Sequence, residues 1–292
     1  MRESVSVVIP TLNAEGEIDF LLTLLEGQTV RPIEILILDS MSNDRTVEIA
    51  SNHSLVRIVD VQRDSFDHGS TRNMGYEMTV GDYILFMTQD AVPFDSLLIE
   101  SLIRPFEDDF VAMVSARQIA KKDARPFERH VRSFNYPDVS YTRREADVAS
   151  LGLKAYFASD VCCAYRRGAL EVIGGIPSPC NTNEDMLAAA RMIRSGMTVC
   201  YEADARVLHS HNLTFIQQLK RNEAIGYFLA KHQDELAVGS ETGEGLKLVR
   251  YVSGRLIEER DFKELICFGL DCFARLLGNR IGREKGSFSH DN

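Results

Sequence analysis

Residues 4–39 read SVSVVIPTLNAEGEIDFLLTLLEGQTVRPIEILILD, and this stretch decides the architecture. Ser4–Ile9 is a short apolar run closed by Pro10, which suits a parallel strand buried on both faces. Ile18, Leu21, Leu22 and Leu25 then recur at spacings of three and four, so they share one helical stripe. Gly27 stops that helix, and Ile33–Leu38 forms a second apolar run ending at Asp39. Strand, helix and strand in so short a span imply a right-handed crossover and a parallel pair.

The alternation continues beyond Asp39. Asp44 can cap a short helix reaching Ser51, and Leu55–Val61 makes a third strand. Ser70–Thr79 reads as a helix after Gly69, and Tyr83–Met87 as a fourth strand. The expected fold is therefore α/β: a doubly wound, mostly parallel central sheet with helices on both faces. Ligands of such sheets sit at the carboxyl ends of the strands, so Asp39 and Asp90 should converge on one site.

The later chain is less uniform. Residues 115–159 show few clear periods and read as a loop-rich insertion. Tyr156–Tyr165 is strand-like, with a turn at Gly174-Gly175. Asn183 opens a helix with Met186, Leu187, Ala190 and Ile193 facing inward, closed by Gly196. Val199–Val207 is strand-like and leads into His209-Ser210-His211. From Thr214 the pattern is helical, with helices expected at 214–233, 246–259 and 261–282. The predicted division is a catalytic domain over 1–213 and a helical region over 214–292.

The chain has 292 residues, is 45% hydrophobic and carries a formal charge of -10, which places it among globular proteins. An acidic balance argues against a nucleic-acid partner, because phosphate backbones demand clustered Lys and Arg. It permits a nucleotide whose charge a metal ion carries. The cysteines at 162, 163, 180, 200, 267 and 272 contain no C-x-x-C pair and read as reduced, mostly buried thiols. No signal peptide opens the chain at Met1 and no run of eighteen apolar residues exists. The expected location is cytoplasmic, at most on the cytoplasmic face of a membrane.

Several motifs carry chemistry. Val8-Ile9-Pro10-Thr11-Leu12-Asn13 and Asp39-Ser40-Met41-Ser42-Asn43-Asp44 close the first two strands. In His68-Gly69-Ser70-Thr71-Arg72-Asn73, Gly69 lets backbone approach a ligand and the helix N-terminus favours phosphate. Arg72 offers a cation for a diphosphate, and Asn73 a donor–acceptor pair for hydroxyls. Thr88-Gln89-Asp90 follows the fourth strand. Asn183-Glu184-Asp185 begins a helix, where a carboxylate can accept a proton and is favoured by the helix dipole. A plain structural reading stands beside each: Asp39 as a turn cap, Arg72 as an exposed surface residue, the two acids as dipole partners.

In this order the motifs resemble the family-2 glycosyltransferases, whose fold is the GT-A nucleotide-sugar-binding sheet, over roughly residues 4–230. The resemblance implies a nucleotide-sugar donor held by Pro10, Thr11, Asn13, Asp39, Ser42, His68, Arg72, Asn73 and Gln89. It implies a divalent cation, Mg2+ or Mn2+, at Asp90, where Thr88 replaces the first carboxylate of the family's D-x-D. His211 is the expected second ligand, on the argument that His209 and His211 alternate on a strand end. Asp185 matches the base of an inverting transfer, with Glu184 and Arg221 on the acceptor side. The His-Gly-x-x-Arg-Asn segment and the T-Q-D loop resemble those of rhamnosyltransferases, implying dTDP-rhamnose as donor and a polysaccharide or lipid-linked saccharide as acceptor. Other UDP- or GDP-sugars stay open. A nucleotidyltransferase wants a basic Gly-rich loop after strand one, whereas Thr11–Gly16 is acidic; a non-catalytic sugar binder would not need Asp185.

The C-terminal stretch from Leu246 holds nine Lys/Arg against seven Asp/Glu. Between Cys272 and Gly286 basic residues interleave with Phe273, Leu276, Leu277 and Ile281. That composition suits an amphipathic helix on an anionic membrane surface, or packing on the domain or on a second copy in a homodimer.

Overall fold

The computed structural model describes residues 3–236 and 242–288. Met1, Arg2 and the tail beyond Phe288, which entered the leader and charge readings above, lie outside the described residues. The strands are β1 (Val5–Thr11), β2 (Glu34–Asp39), β3 (Val56–Asp60), β4 (Tyr83–Met87), β5 (Val92–Pro93), β6 (Val111–Ile119), β7 (Tyr141–Arg143), β8 (Cys162–Arg166) and β9 (Thr198–Leu208). The helices are α1 (Ile18–Glu26), α2 (Thr46–Ala50), α3 (His68–Met78), α4 (Leu98–Ile103), α5 (Pro126–Asn135), α6 (Glu145–Leu151), α7 (Arg167–Ile173), α8 (Glu184–Arg194), α9 (Phe215–Lys231), α10 (Gln233–Leu236), α11 (Thr242–Glu258) and α12 (Phe262–Phe288).

The chain divides into two compact units. The first, residues 1–118, 138–147 and 155–209, carries one sheet in the order β3-β2-β1-β4-β8-β6-β9-β5, with β7 paired to β9. Strands β3, β2, β1 and β4 are parallel, with Val8 opposite both Leu36 and Phe86. Strand β8 enters antiparallel, Met87 facing Cys162, so the sheet is mixed beyond β4.

The pleat of β1 explains the layers. Val5, Val7 and Ile9 share a core with Ile18, Leu21, Leu22 and Leu25 of α1, all fully or almost fully buried. Each such side chain contributes about 1.5–3 kcal/mol relative to exposure. Val8 points the other way, where α3 lies so close that a Cβ on Gly75 would stand 2.4 Å from Val8 Cγ1. Helices therefore cover both faces, as the apolar runs predict.

Residues 115–159 depart from the loop-rich reading. They hold the end of β6, then α5, β7 and α6. α5 has only a few apolar residues, and they pack remotely in sequence: Phe127 and Val131 join Val252, Leu256 and Phe268. The second unit accordingly takes in 119–137 and 148–154 together with 210–292.

Within the second unit α9 and α12 run parallel at backbone contact. A Cβ on Gly278, Gly282 or Gly286 of α12 would meet Leu219 O at 2.3 Å, Glu223 O at 2.0 Å or Ala230 Cβ at 2.7 Å. The α9 partners advance with the α12 glycines, which sets the direction. α12 extends past the expected 261–282 to Phe288. All six cysteines are unbridged, four of them buried. Among the described residues no helix is long and apolar enough to cross a membrane.

Candidate active site

The first cluster lies at the carboxyl ends of β1, β2 and β4. Thr11 Oγ1 donates to Asp39 Oδ1 at 2.9 Å; the Ser42 hydroxyl donates to the same oxygen at 2.6 Å and the Ser42 N–H to Oδ2 at 2.7 Å. Asn13, at φ 51°, donates its N–H to Ser42 Oγ at 2.8 Å and accepts from Asn43 N–H at 2.9 Å. Gln89 spans from the third strand end, accepting from Leu12 N–H at 2.8 Å and donating to Glu17 Oε1 at 2.9 Å. Pro10 pairs in register with Leu38 inside the sheet. Asp39 is 1% exposed and three donors already fill it. A carboxylate has about four acceptor positions, so about one is left over. Asp39 is thus first a loop organiser. Asp44 lies one residue before Arg45, the N-cap of α2, and accepts Thr46 N–H at 3.0 Å from there.

The second cluster joins α3, the entry to β8 and the start of α8. Asp67 caps α3 through Ser70 N–H at 2.7 Å and also accepts Cys180 N–H at 2.9 Å. A Cβ on Gly69 would lie 2.1 Å from Pro177 O, so the close approach that Gly69 permits is to the chain itself. Arg72 was expected to face a diphosphate. Instead it is buried, its Nη1 2.8 Å from Glu184 Oε1 and its Nε 3.1 Å from Asp160 Oδ2. Glu184, assigned above to the acceptor side, is buried in that ion pair. Asn73 is likewise spent on structure, accepting Ile176 N–H at 2.9 Å and donating to Glu77 at 2.8 Å. His68 Nδ1 lies 3.3 Å from Arg72 Nη1. Guanidinium only donates, so this nitrogen accepts and the proton sits on Nε2. Burial, then the Arg72 cation, push His68 down to about 4, leaving the ring neutral.

Asp185 is half-buried and both its oxygens are held. Oδ1 accepts Met186 N–H at 2.7 Å and Oδ2 accepts Asp160 N–H at 3.0 Å. Burial, then the Glu184 carboxylate, raise its pKa to about 6 against the lowering by those two N–H groups. The helix dipole alone would have kept it lower, so burial wins here. Asp160 is raised well above the ordinary carboxylate range, chiefly by burial and against the pull of Arg72. Tyr165, on β8, donates its hydroxyl to Asp160 Oδ1 at 2.6 Å.

The third cluster follows β4 and β9. Asp90 Oδ2 lies 3.3 Å from His209 Nε2. His209 Nδ1 lies 3.0 Å from Gln118 Oε1, and Gln118 Nε2 donates to Ser159 at 2.8 Å. The amide oxygen on Nδ1 makes that nitrogen the donor and leaves Nε2 facing the Asp90 carboxylate. Asp90, His209 and His211 bring ligand atoms close enough to hold a cation, and a hydrogen-bonded second nitrogen is usual for a metal-ligating histidine. Oxygen and imidazole donors also suit Mn2+ or Mg2+. Thr88 Oγ1, two residues before Asp90, is buried with no hydrogen-bond partner among the described residues. β9 ends at Leu208, so strand alternation does not govern His209 or His211. His209 is the buried partner of Asp90, and the sequence reading passed it over; His211 follows two residues later, where the second unit begins. Arg221 sits on α9 in that unit, its pKa lowered by removal from water and by the Arg132 and Arg275 cations.

A mixed sheet whose parallel half carries acidic and amide side chains at its carboxyl ends, a candidate cation site after the fourth strand and an oriented carboxylate at a helix start match the GT-A class. The sequence profile described as "Glycosyl transferase family 2" matches residues 6–174. The chain belongs to this family, and it is a glycosyltransferase. It is 36% identical over 281 residues to the O-antigen chain rhamnosyltransferase RfbN of Salmonella typhimurium, covering 96% of this chain and 89% of that one. It is 34% identical over 283 residues to the O-antigen chain rhamnosyltransferase WbaN of Salmonella anatum, with the same coverage. Among solved structures it is similar to the mannosyltransferase PcManGT of Pyrobaculum calidifontis, in complex with GDP-Man and Mn2+. That match has a TM-score of 0.66 at 14% identity, covering 100% of this chain and 89% of that one, and shows the fold.

Proposed function

We propose that the enzyme transfers L-rhamnose from dTDP-rhamnose to a growing O-antigen-type polysaccharide or lipid-linked saccharide, with inversion at the anomeric carbon. Support for the sugar is the identity with two rhamnosyltransferases over nearly the whole chain. Support for the mechanism is one observation: Asp185 is a half-buried carboxylate whose two oxygens are aimed by backbone N–H groups.

In this reading the loops of Pro10, Thr11, Asn13, Asp39, Ser42 and Gln89 hold the nucleoside side of the donor. Asp90 and His209 would hold Mg2+ or Mn2+, with His211, two residues along the chain, as a third ligand. When bound, the cation would supply positive charge for the departing diphosphate. His68 keeps its Nε2 proton as a neutral donor to the same region. Asp185 takes the proton of the acceptor hydroxyl as that oxygen bonds to the anomeric carbon and the bond to the diphosphate breaks. One carboxylate suffices, because no covalent sugar–enzyme intermediate forms.

The site of action is inferred to be the cytoplasmic face of a membrane. Phe262, Ile266, Leu270, Phe273 and Leu276 recur at helical spacing on α12 and are all exposed, with the exposed cation Arg280 following. An anionic bilayer surface matches both features. Vesicle flotation with anionic and neutral lipids tests this, and a concentration-dependent dimer without flotation would replace it.

Transfer and thermal stabilisation with dTDP-rhamnose, UDP-sugars and GDP-sugars test the donor, since a ligand of the folded state raises stability by mass action. The largest stabilisation and turnover are expected with dTDP-rhamnose. A stronger response to a uridine or guanosine donor overturns the sugar while leaving the family intact.

A further inference from the structure

We propose that Arg72 is a positioning residue for Asp185, clamping Asp160 and Glu184 on either side of it, and does not bind the donor phosphates. The proposal rests on the reading of Asp185 as the base.

Three elements meet at Arg72. It comes from α3, Asp160 from the turn before β8, and Glu184 from the first turn of α8. All three are nearly sealed, at 4%, 2% and 5% exposed. Asp185 is tied to both partners of the clamp: it follows Glu184 in the chain, and its Oδ2 takes the backbone N–H of Asp160 at 3.0 Å. A shift of either partner therefore moves the base. The clamp needs a guanidinium, because Nη1 lies 2.8 Å from Glu184 Oε1 while Nε meets Asp160 Oδ2 at 3.1 Å on another side, a charge contact without hydrogen-bond alignment. An ammonium on a thinner stem is a point charge and holds one of them.

Among the described residues, several titratable groups face Asp185. α8 brings Glu184, α3 brings Arg72 and His68, and the β8 region brings Asp160, Cys163 and Tyr165. Cys180 also feels Asp185. Arg72 is the one cation among them, since His68 is neutral. Loosening it lets neighbouring negative charge raise the Asp185 pKa; neutralising Glu184 lowers it. Burial of Arg72 behind its two partners leaves the donor to other residues.

The test uses the full-length enzyme with Arg72→Lys and Glu184→Gln, reading kcat, donor KM, binding of dTDP and the acid limb of the pH profile. Arg72→Lys should lower kcat ~10-fold or more and move the acid limb upward, with donor KM and dTDP binding within about 2-fold, as for a group acting only beyond the ground state. Glu184→Gln should move the acid limb downward with donor KM unchanged. If Arg72→Lys fails to fold, Glu184→Gln carries the same decision. A tenfold loss of dTDP binding in Arg72→Lys, or an acid limb that neither variant moves, overturns the proposal. Failure of the base reading shows separately, as an Asp185→Asn variant with normal kcat.

Discussion

His209 Nε2 faces Asp90 Oδ2 at 3.3 Å, and the other ring nitrogen is held by Gln118. One strand end thus supplies the carboxylate and another a ring already turned to meet it. Asp90→Ala is expected to cut turnover by ~10²-fold, the usual scale for losing a major electrostatic contribution. His209→Ala should weaken Mn2+ more than it weakens dTDP, measured by titrating metal into the enzyme. Full wild-type activity in excess chelator would remove the cation from the mechanism.

Asp185→Asn preserves shape and keeps an oxygen for one of the two N–H groups, but it cannot take a proton. Its kcat should fall by ~10²-fold or more with little change in donor affinity. Transfer assays alongside dTDP titration check this; a product with retained anomeric configuration sinks the inverting scheme.

The pH dependence follows from the same carboxylate. Burial and Glu184 raise Asp185 to about 6, and only its deprotonated form accepts a proton. Activity should therefore be full above that value and fall as pH drops through about 6. An acid limb near 4, where an ordinary Asp titrates, is the contrary result.

Asp39→Ala removes the acceptor for the Thr11 and Ser42 hydroxyls and the Ser42 N–H. Leaving a buried donor unpaired costs about 1–3 kcal/mol. Donor KM should rise ~10-fold or more, with a lower melting temperature. Unchanged donor KM would show that these loops do not shape the nucleotide side.

Gly282→Ala would place a Cβ 2.0 Å from the backbone oxygen of Glu223. The helix gains about 1 kcal/mol of propensity, yet backbone contact cannot yield as a side chain does, and overpacking costs about 1–3 kcal/mol. Net destabilisation is expected, read as a lowered thermal midpoint. Gly254→Ala, where a Cβ meets open space, should be neutral or stabilising by comparison.

How much of this was legible in the sequence depends on the range of the forces involved. β1, α1, β2 and β4 were readable because apolar period and local stops specify them within a few residues. The placement of Asp39 and Asp90 at strand ends and of Asp185 at a helix start was legible because the apolar runs and the helix signal fix those boundaries. α5 was not, since Phe127 and Val131 find their partners beyond residue 250. Asp160 was hidden for another reason. An Asp before an apolar strand looks like a turn residue, and only the antiparallel entry of β8 beside β4 brings it to the active end of the sheet. The partners of Arg72, Asn73 and Glu184 were not legible, because a polar residue in a motif looks the same whether it faces a ligand or a buried partner.

Gln89 bonds to Leu12 and Glu17 while its chain neighbour Asp90 faces His209. In the proposed reading, the loop on the nucleoside side and the loop that would hold the cation therefore share one strut. Coupling through it would be reciprocal: whatever factor the nucleotide added to cation affinity, the cation would return to the nucleotide. Donor affinity would then vary with the concentration of the cation.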